Sequence, residues 1–312
     1  MGSTATTDTS DQLRVTPADT AIGAEVRGVD VRTADERTLL RLRDALLRHS
    51  VLVVRDQQLE PTDHLTFMDR LHPLRSDEEL YARFPLLPKV CLPGHPAISV
   101  LSNLVENGEP VGIKDAGVLW HTDTCFFTDP DLFVGLYALQ IPYRDGQALG
   151  ATRFTSTTAA FDALPAAEQE RLDGMRVVQS ATASLLRMRD KGLLHRPHDI
   201  EENRRQTPDV VHDLIGTHPI TGRRFLYANE SFSLAIEGLG EHDSEALLDE
   251  LTAHVTRPEF GFTHQWQEGD LLLWDNLATQ HLATFDYGDI PRRMHRVSTG
   301  SVAEVGELRG SD

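Results

Sequence analysis

Trp120-His-Thr-Asp123 sets an imidazole and a carboxylate two positions apart. On an extended chain, residues i and i+2 face the same side, so His121 and Asp123 could grip one metal ion from a single strand. A third ligand must come from elsewhere, and His281, in Leu273-Trp-Asp-Asn-Leu-Ala-Thr-Gln-His281, is the candidate. Two histidines and one carboxylate leave three octahedral positions open. Non-haem iron(II) oxygenases use this facial arrangement, in which a co-substrate can chelate while O2 binds beside it. A structural zinc site takes four ligands, and only two cysteines, Cys91 and Cys125, are present. His-x-Asp alone is a weak motif. With 14 histidines in the chain, an ordinary hydrogen-bonded His–Asp pair stands as the competing reading.

The residues after His281 sharpen the case. Arg292 follows, then Arg296 four positions on, within Arg292-Arg-Met-His-Arg296. If 292–299 is a strand, Arg292, Met294 and Arg296 share one face, and Arg293 and His295 the other. A guanidinium fork grips a carboxylate bidentately and stays charged when desolvated, which suits the distal end of a dicarboxylic acid. An inward arginine left unpaired would be costly, so it implies an anionic ligand or a fixed acidic partner. A solvated basic strand edge is the other reading of the same spacing.

These residues need a scaffold. Leucines at 39, 40, 42, 46 and 47 predict an amphipathic helix over 34–49, and a proline-initiated helix follows at 61–71. Apolar and β-branched runs predict strands at 50–56, 98–101, 118–127, 132–140, 151–156, 260–266, 270–275, 280–284 and 292–299. Residues 22–30 suit strands with a turn, and 217–227 has hairpin character. Helices are expected at 157–164, 166–175 and 244–256, and 73–97 reads as proline-rich and irregular. The charged, weakly periodic 180–212 stretch reads as an insertion or lid. Many short strands with a few helices imply a mainly β, α+β fold, a double-sheet jelly roll with helical additions.

Composition excludes several classes. A net charge of −18 leaves no basic surplus to neutralise phosphates, so nucleic acid is not an expected partner. No run of about 18 apolar residues spans a membrane, and the polar N-terminus is not a signal peptide. Two cysteines cannot build a disulfide framework, which fits a reducing cytoplasmic setting. Cys125, two residues past Asp123, reads as a small buried hydrophobe or as a neighbour of the metal. The expected organisation is a disordered lead over 1–12, one domain over 13–303 and a disordered tail over 304–312.

In combination these motifs resemble the taurine dioxygenase / 2,4-dichlorophenoxyacetate dioxygenase (TauD/TfdA) family of iron(II)- and 2-oxoglutarate-dependent oxygenases. The resemblance runs from about residue 13 to 300. It is carried by Trp120-His-Thr-Asp123, Trp274-Asp-Asn276, Thr279-Gln-His281, Arg292 and Met294-His-Arg296, with landmarks at 22–30, 51–57 and 217–222. It implies a distorted double-stranded β-helix, with His121, Asp123 and His281 as both metal ligands and catalytic centre. The implied cofactors are Fe(II), 2-oxoglutarate and O2. Arg292 matches the arginine that binds the 2-oxoglutarate carboxylate. Thr152, in Leu149-Gly-Ala-Thr152, matches the threonine that assists it, where the family usually reads Gly-Gly-Asp-Thr. Arg296 matches an arginine that meets the anionic group of the prime substrate, and Phe232 an aromatic lining that pocket.

Asn103 and Trp120 are further pocket candidates, Trp120 with a core role as its alternative. His72-Pro73 is similar to a substrate histidine of the taurine enzyme, but the tyrosine expected after it is missing. His195 and His198 have metal-like spacing without a carboxylate set, and an exposed loop is their expected setting. The implied activity is hydroxylation of an unactivated C–H of a small anionic metabolite, with release of succinate and CO2. Desaturation, oxidative decarboxylation or aldehyde or isonitrile formation would use the same cofactors, and a non-catalytic jelly-roll binding protein is a further alternative. Asp123 keeps the position that related halogenases give up to chloride. Family resemblance also leads one to expect dimers or tetramers.

Overall fold

The computed structural model describes residues 13–84, 87–114, 116–194 and 199–300. The lead over 1–12, the tail over 304–312, and His195 and His198 lie outside the described residues.

Continuous apolar runs form the centre of the molecule. Val51–Val54 and Leu271–Asp275 are buried along their whole length, as expected of strands covered on both faces. In chain order the principal strands are β1 (Arg14–Pro17), β2 (Ala24–Arg27), β3 (Val51–Val54), β4 (Cys91–Leu92), β5 (His95–Ser102), β6 (Phe133–Gln140), β7 (Thr152–Ser156), β8 (Gly261–His264), β9 (Leu271–Asp275), β10 (Thr279–Ala283) and β11 (Arg293–Ser298). The main sheet has eight strands in the order β1-β2-β3-β9-β6-β11-β5-β4. A smaller sheet runs β8-β7-β10. Only β2 and β3 pair in parallel within the main sheet, and that pairing needs a long crossover. Helix α1 (Glu36–His49) provides it, capped at its start by the Asp35 side chain and ended by left-handed Ser50.

Period-two alternation decides what each face covers. Leu52, Val54, Leu271 and Leu273 point to one side and pack with Leu42 and Leu46 of α1 and Phe67 and Met68 of α2 (Pro61–Leu71). Val51, Val53, Leu272, Trp274, Val134, Leu136 and Met294 point to the other and meet Phe154 of β7, with Trp266. This second cluster is the filling between the two sheets, so the fold is the distorted, unclosed jelly roll that the strand pattern predicted. On β11, Met294 and Arg296 share the inter-sheet side, while His295 faces α2. Arg292 sits just before the strand, and the register shifts between Arg293 and Met294.

Three segments differ from the sequence reading. Residues 118–127 do not form a strand: after one isolated bridge at His121 the chain turns, with Thr124 in the left-handed region. The stretch read as irregular holds α3 (Asp77–Arg83), opened by a reciprocal Ser76–Glu79 capping box, and β4. After α4 (Thr157–Asp162) and α5 (Ala166–Leu172), the weakly periodic 180–212 stretch contains α6 (Ala181–Asp190) and α7 (Ile200–Gln206). Their N-termini are capped by the side chains of Ser180 and Asp199. Local capping, not amphipathic periodicity, starts these two helices. The last helix is α8 (Glu241–Val255), and Ile215–Thr217 pairs with Arg224–Leu226 as the expected hairpin. Among the described residues no helix is long and apolar enough to cross a membrane.

Candidate active site

His121 and His281 are neighbours because their backbones pair. The His121 N–H donates to the His281 carbonyl (3.2 Å) and the His281 N–H to the His121 carbonyl (2.9 Å), while the Ala283 N–H reaches the Gly117 carbonyl (2.8 Å). Side chains of such an antiparallel pair leave the same face, and the two rings lie 4.1 Å apart between centroids. Asp123 arrives by a different route. Its N–H donates to Asn276 Oδ1, and Asn276 Nδ2 donates to the carbonyls of Asp123 and Asp131, each at 2.9 Å. Thr122 adds a bond from Oγ1 to the Thr279 carbonyl. The expected strand alternation is therefore replaced by a turn that Asn276 clamps onto the end of β9. Sequence reasoning left Asn276 without a role, although Trp274-Asp-Asn276 contained it. Its neighbour Asp275 accepts from the Leu277 and Ala278 N–H groups and pairs with buried His218 at 3.0 Å, which fixes the turn into β10.

The three side chains suit a metal. His121 Nε2 stands 3.5 Å from Asp123 Oδ1 and His281 Nε2 stands 3.6 Å from Asp123 Oδ2, and one ligand atom of each lies within 4.8 Å of the others. His121 Nδ1 is 2.8 Å from the Leu119 carbonyl. A carbonyl only accepts, so Nδ1 carries a proton and Nε2 is the nitrogen turned toward Asp123 and the candidate metal position. The His281 ring is held between Phe154 (5.7 Å) and Trp274 (4.9 Å). Burial, with His121 and Arg296 nearby, pushes its pKa down to about 3, so the imidazole is neutral, as a ligand must be. Burial opposes ionisation of Asp123, yet the Arg296 guanidinium beside it holds its carboxyl well below the ordinary value. Arg296 Nη2 lies 2.9 Å from Asp123 Oδ2, but Oδ2 has no aligned hydrogen bond. A buried, ionised, unsatisfied oxygen facing two imidazoles fits a cation.

Two cavities meet at this point. The smaller, about 170 Å³, is lined by Thr152, Trp274, His281, Tyr287 and Arg292; the larger, about 430 Å³, by Phe126, Phe127, Phe232 and residues of α3 and α6. His121, Asp123 and Arg296 line both. Arg292 is buried, its Nε has no partner, and no carboxylate pairs with it among the described residues. It contacts the Tyr287 ring at 5.7 Å, and burial lowers its pKa despite Tyr287 and Asp286. Such a cation fits a carboxylate ligand, and Thr152 Oγ1, which accepts from Trp266 Nε1 (3.1 Å), faces the same space.

Other expected site residues are placed differently. Asn103 lines neither cavity. Its Nδ2 donates to the Ile290 carbonyl (2.9 Å) and its Oδ1 accepts from the Arg292 N–H (2.8 Å), so it fixes the approach of Arg292. Trp120 also lies outside both linings, under the Arg153 guanidinium (5.3 Å). His72 is buried edge-on to Phe133. Cys125 is a buried thiol beside Asn229, in a turn and not a strand. Phe232 lines the larger cavity, edge-on to His121 at 6.0 Å.

A jelly roll with a facial His/Asp/His set and a buried arginine beside it defines the class of non-haem iron oxygenases that use a 2-oxo acid. The chain belongs to the taurine catabolism dioxygenase TauD, TfdA family, whose family model matches residues 14–298. It is 34% identical over 281 residues to pentalenolactone F synthase of Streptomyces arenae, covering 86% of this chain and 89% of that one. It is 31% identical over 275 residues to the alpha-ketoglutarate-dependent 2,4-dichlorophenoxyacetate dioxygenase of Cupriavidus pinatubonensis, covering 85% and 90%. Among solved structures it is similar to a taurine dioxygenase from Burkholderia xenovorans, with TM-score 0.72, 29% identity, and 93% and 90% coverage. The protein is thus a 2-oxoglutarate-dependent oxygenase that uses Fe(II), 2-oxoglutarate and O2.

Proposed function

We propose that this enzyme hydroxylates an unactivated C–H bond of a small molecule, with His121, Asp123 and His281 holding iron(II) and Arg292, assisted by Thr152, holding the distal carboxylate of 2-oxoglutarate. The observation that carries the assignment is Arg292: a buried guanidinium without a carboxylate partner among the described residues, in a small cavity that reaches the three candidate ligand side chains. When bound, iron and 2-oxoglutarate supply from O2 the oxidant that removes the substrate hydrogen, with succinate and CO2 released. The chain's own contribution is orientation and exclusion of water. Asp123 stays ionised and His281 neutral, Asn276 holds the Asp123 backbone, and Asn103 holds that of Arg292. Phe232 forms a wall against which the substrate lies close to the metal. Both cysteines are unpaired, which suits a cytoplasmic enzyme.

A second reading keeps the cofactors but sends the oxidation to desaturation or another biosynthetic outcome. Similarity to an enzyme named a synthase favours giving it weight. Anaerobic titration with Fe(II) and 2-oxoglutarate tests the core of the proposal. A visible charge-transfer absorption is expected in the wild type and not in His121→Ala; its absence from the wild type would sink both readings. Product mass spectrometry across a substrate panel, alongside succinate release, separates hydroxylation from the alternatives.

A further inference from the structure

Four arginines line the two cavities: Arg75, Arg83, Arg292 and Arg296. Two have carboxylates close at hand. Arg75 Nε and Nη2 bond Asp131 Oδ1 (3.2 Å) and Asp129 Oδ2 (3.0 Å), and Arg296 lies 2.9 Å from Asp123. Arg292 has none. Arg83, the last residue of α3, is nearly as bare. Both its Nη groups converge on one neutral acceptor, the Asp129 carbonyl (3.0 Å each), and its Nε is buried without a partner. Asp131 Oδ1 forms an ion pair with Arg83 at 3.7 Å, beyond hydrogen-bonding distance, and accepts its hydrogen bond from Arg75. The flat face of the guanidinium rests on the Phe127 ring at 4.1 Å.

Protonation equilibria agree with this division. Burial lowers the pKa of Arg83 in spite of Asp131, as it does for Arg292, whereas the aspartates raise that of Arg75 against its burial. Each cavity therefore holds one arginine that no carboxylate hydrogen-bonds among the described residues, although Asp131, Asp129 and Glu79 act on Arg83 at longer range and Asp286 on Arg292. Around Arg83 the wall is apolar, with Leu80, Phe84, Leu87, Phe126, Phe127 and Met188. At about 430 Å³ the space is of the size that takes ligands well beyond a few atoms.

We propose that Arg83 anchors a carboxylate of the prime substrate, the counterpart in the larger cavity of Arg292 in the smaller, and that the rest of that substrate is an apolar skeleton. The proposal rests on the reading of the two cavities given above. It moves the anionic anchor away from Arg296, whose charge is engaged by the Asp123 carboxylate at the cavity junction. The Asp129 carbonyl takes two of the five in-plane N–H donors of the stacked guanidinium, which leaves the others for a carboxylate, and the skeleton would then extend past Phe126 and Phe232 toward His121.

The test uses the full-length enzyme loaded anaerobically with Fe(II) and saturating 2-oxoglutarate, so that Arg292 is occupied. Cyclohexanecarboxylate, adamantane-1-carboxylate and 2-naphthoate are titrated calorimetrically against their primary carboxamides. In the wild type the better-fitting acids should bind about tenfold or more tighter than their amides, as expected for a charge-assisted pair. Arg83→Gln should erase that difference while leaving amide affinity within about twofold, and Arg83→Lys should restore part of it, since a point charge replaces a fork. Amides binding as well as acids in the wild type, acid preference surviving in Arg83→Gln, or no binding by any of the six probes at millimolar concentration would each overturn the assignment. If Arg83→Gln does not fold, Arg83→Lys decides the matter, because an unreduced acid preference in it excludes a bidentate anchor. A wild type that shows no iron–2-oxoglutarate absorption defeats the underlying site reading. A wild type that shows the absorption without acid preference defeats only the role of Arg83.

Discussion

Arg292→Met separates a ligand-binding arginine from a structural one, because the two roles predict opposite signs. Methionine keeps most of the length and apolar bulk of the side chain but removes the charge and every donor. The guanidinium is buried, its Nε is unsatisfied, and among the described residues its compensation comes from the Tyr287 side chain and the Asp286 charge. Relief of a buried unsatisfied polar group is worth about 1–3 kcal/mol, and loss of the cation–π contact costs about 0.5–1 kcal/mol. The metal-free variant should therefore be more stable by roughly 1 kcal/mol, a rise of about 2 °C in Tm for a chain of this size. Binding of 2-oxoglutarate should move the other way. Charge-assisted hydrogen bonds are worth about 1.5–3 kcal/mol each, so losing a bidentate pair should weaken 2-oxoglutarate roughly a hundredfold or more. Iron affinity, which the proposal assigns to His121, Asp123 and His281, should stay within about threefold. Differential scanning calorimetry of the apo protein and anaerobic titration of iron and then 2-oxoglutarate measure all three. A destabilised apo variant that loses iron and 2-oxoglutarate in equal measure would refute the reasoning.

Two further predictions follow from buried groups. Asn276→Ala deletes three bonds around the Asp123 turn, so urea melts should show a loss of about 2–4 kcal/mol. Metal competition titrations should show iron affinity down about 10–100-fold; unchanged affinity in a folded variant would remove Asn276 from the metal site. His64 and His295 are buried without carboxylate partners, and burial pushes their pKa values down to about 3 and about 4. Both must be neutral in the folded state and protonate near 6.5 when unfolded, so their contribution is constant above pH 6.5 and stability falls as pH drops below it. At pH 5 each should cost roughly 2 kcal/mol relative to pH 7. Denaturant melts of the metal-free protein at the two pH values should show His64→Leu recovering about 2 kcal/mol of the loss; an identical pH dependence in wild type and variant would count against the assignment.

Much of the scaffold was legible in the sequence because it depends on local periodicity. The buried runs at Val51–Val54 and Leu271–Asp275 announced central strands, and the leucine spacing announced α1. Where local pattern and tertiary demand disagreed, the sequence misled. Residues 118–127 have the alternation of a strand, but Asn276 takes the Asp123 backbone bonds that a ladder would have used, and Thr124 bends the chain away. Helices α6 and α7 begin at side-chain caps and carry little periodic signal. The Ser76–Glu79 capping box of α3 was a readable start signal, and with it the location of Arg83.

The sequence by itself determined which chemistry was available: a carboxylate and two imidazoles in a recurring motif, and an arginine at a characteristic distance beyond them. Tertiary structure decided which charges remain uncompensated. His121 meets His281 through backbone bonds across 160 residues, Arg296 is paired with Asp123, and Arg75 takes the carboxylate hydrogen bonds of Asp129 and Asp131, leaving Arg83 a 3.7 Å ion pair. Pairing of that kind depends on distances of a few ångströms between segments far apart in the chain. Residue spacing carries no record of it, which is why the candidate metal ligands were legible in the sequence and the pairing state of each arginine was not.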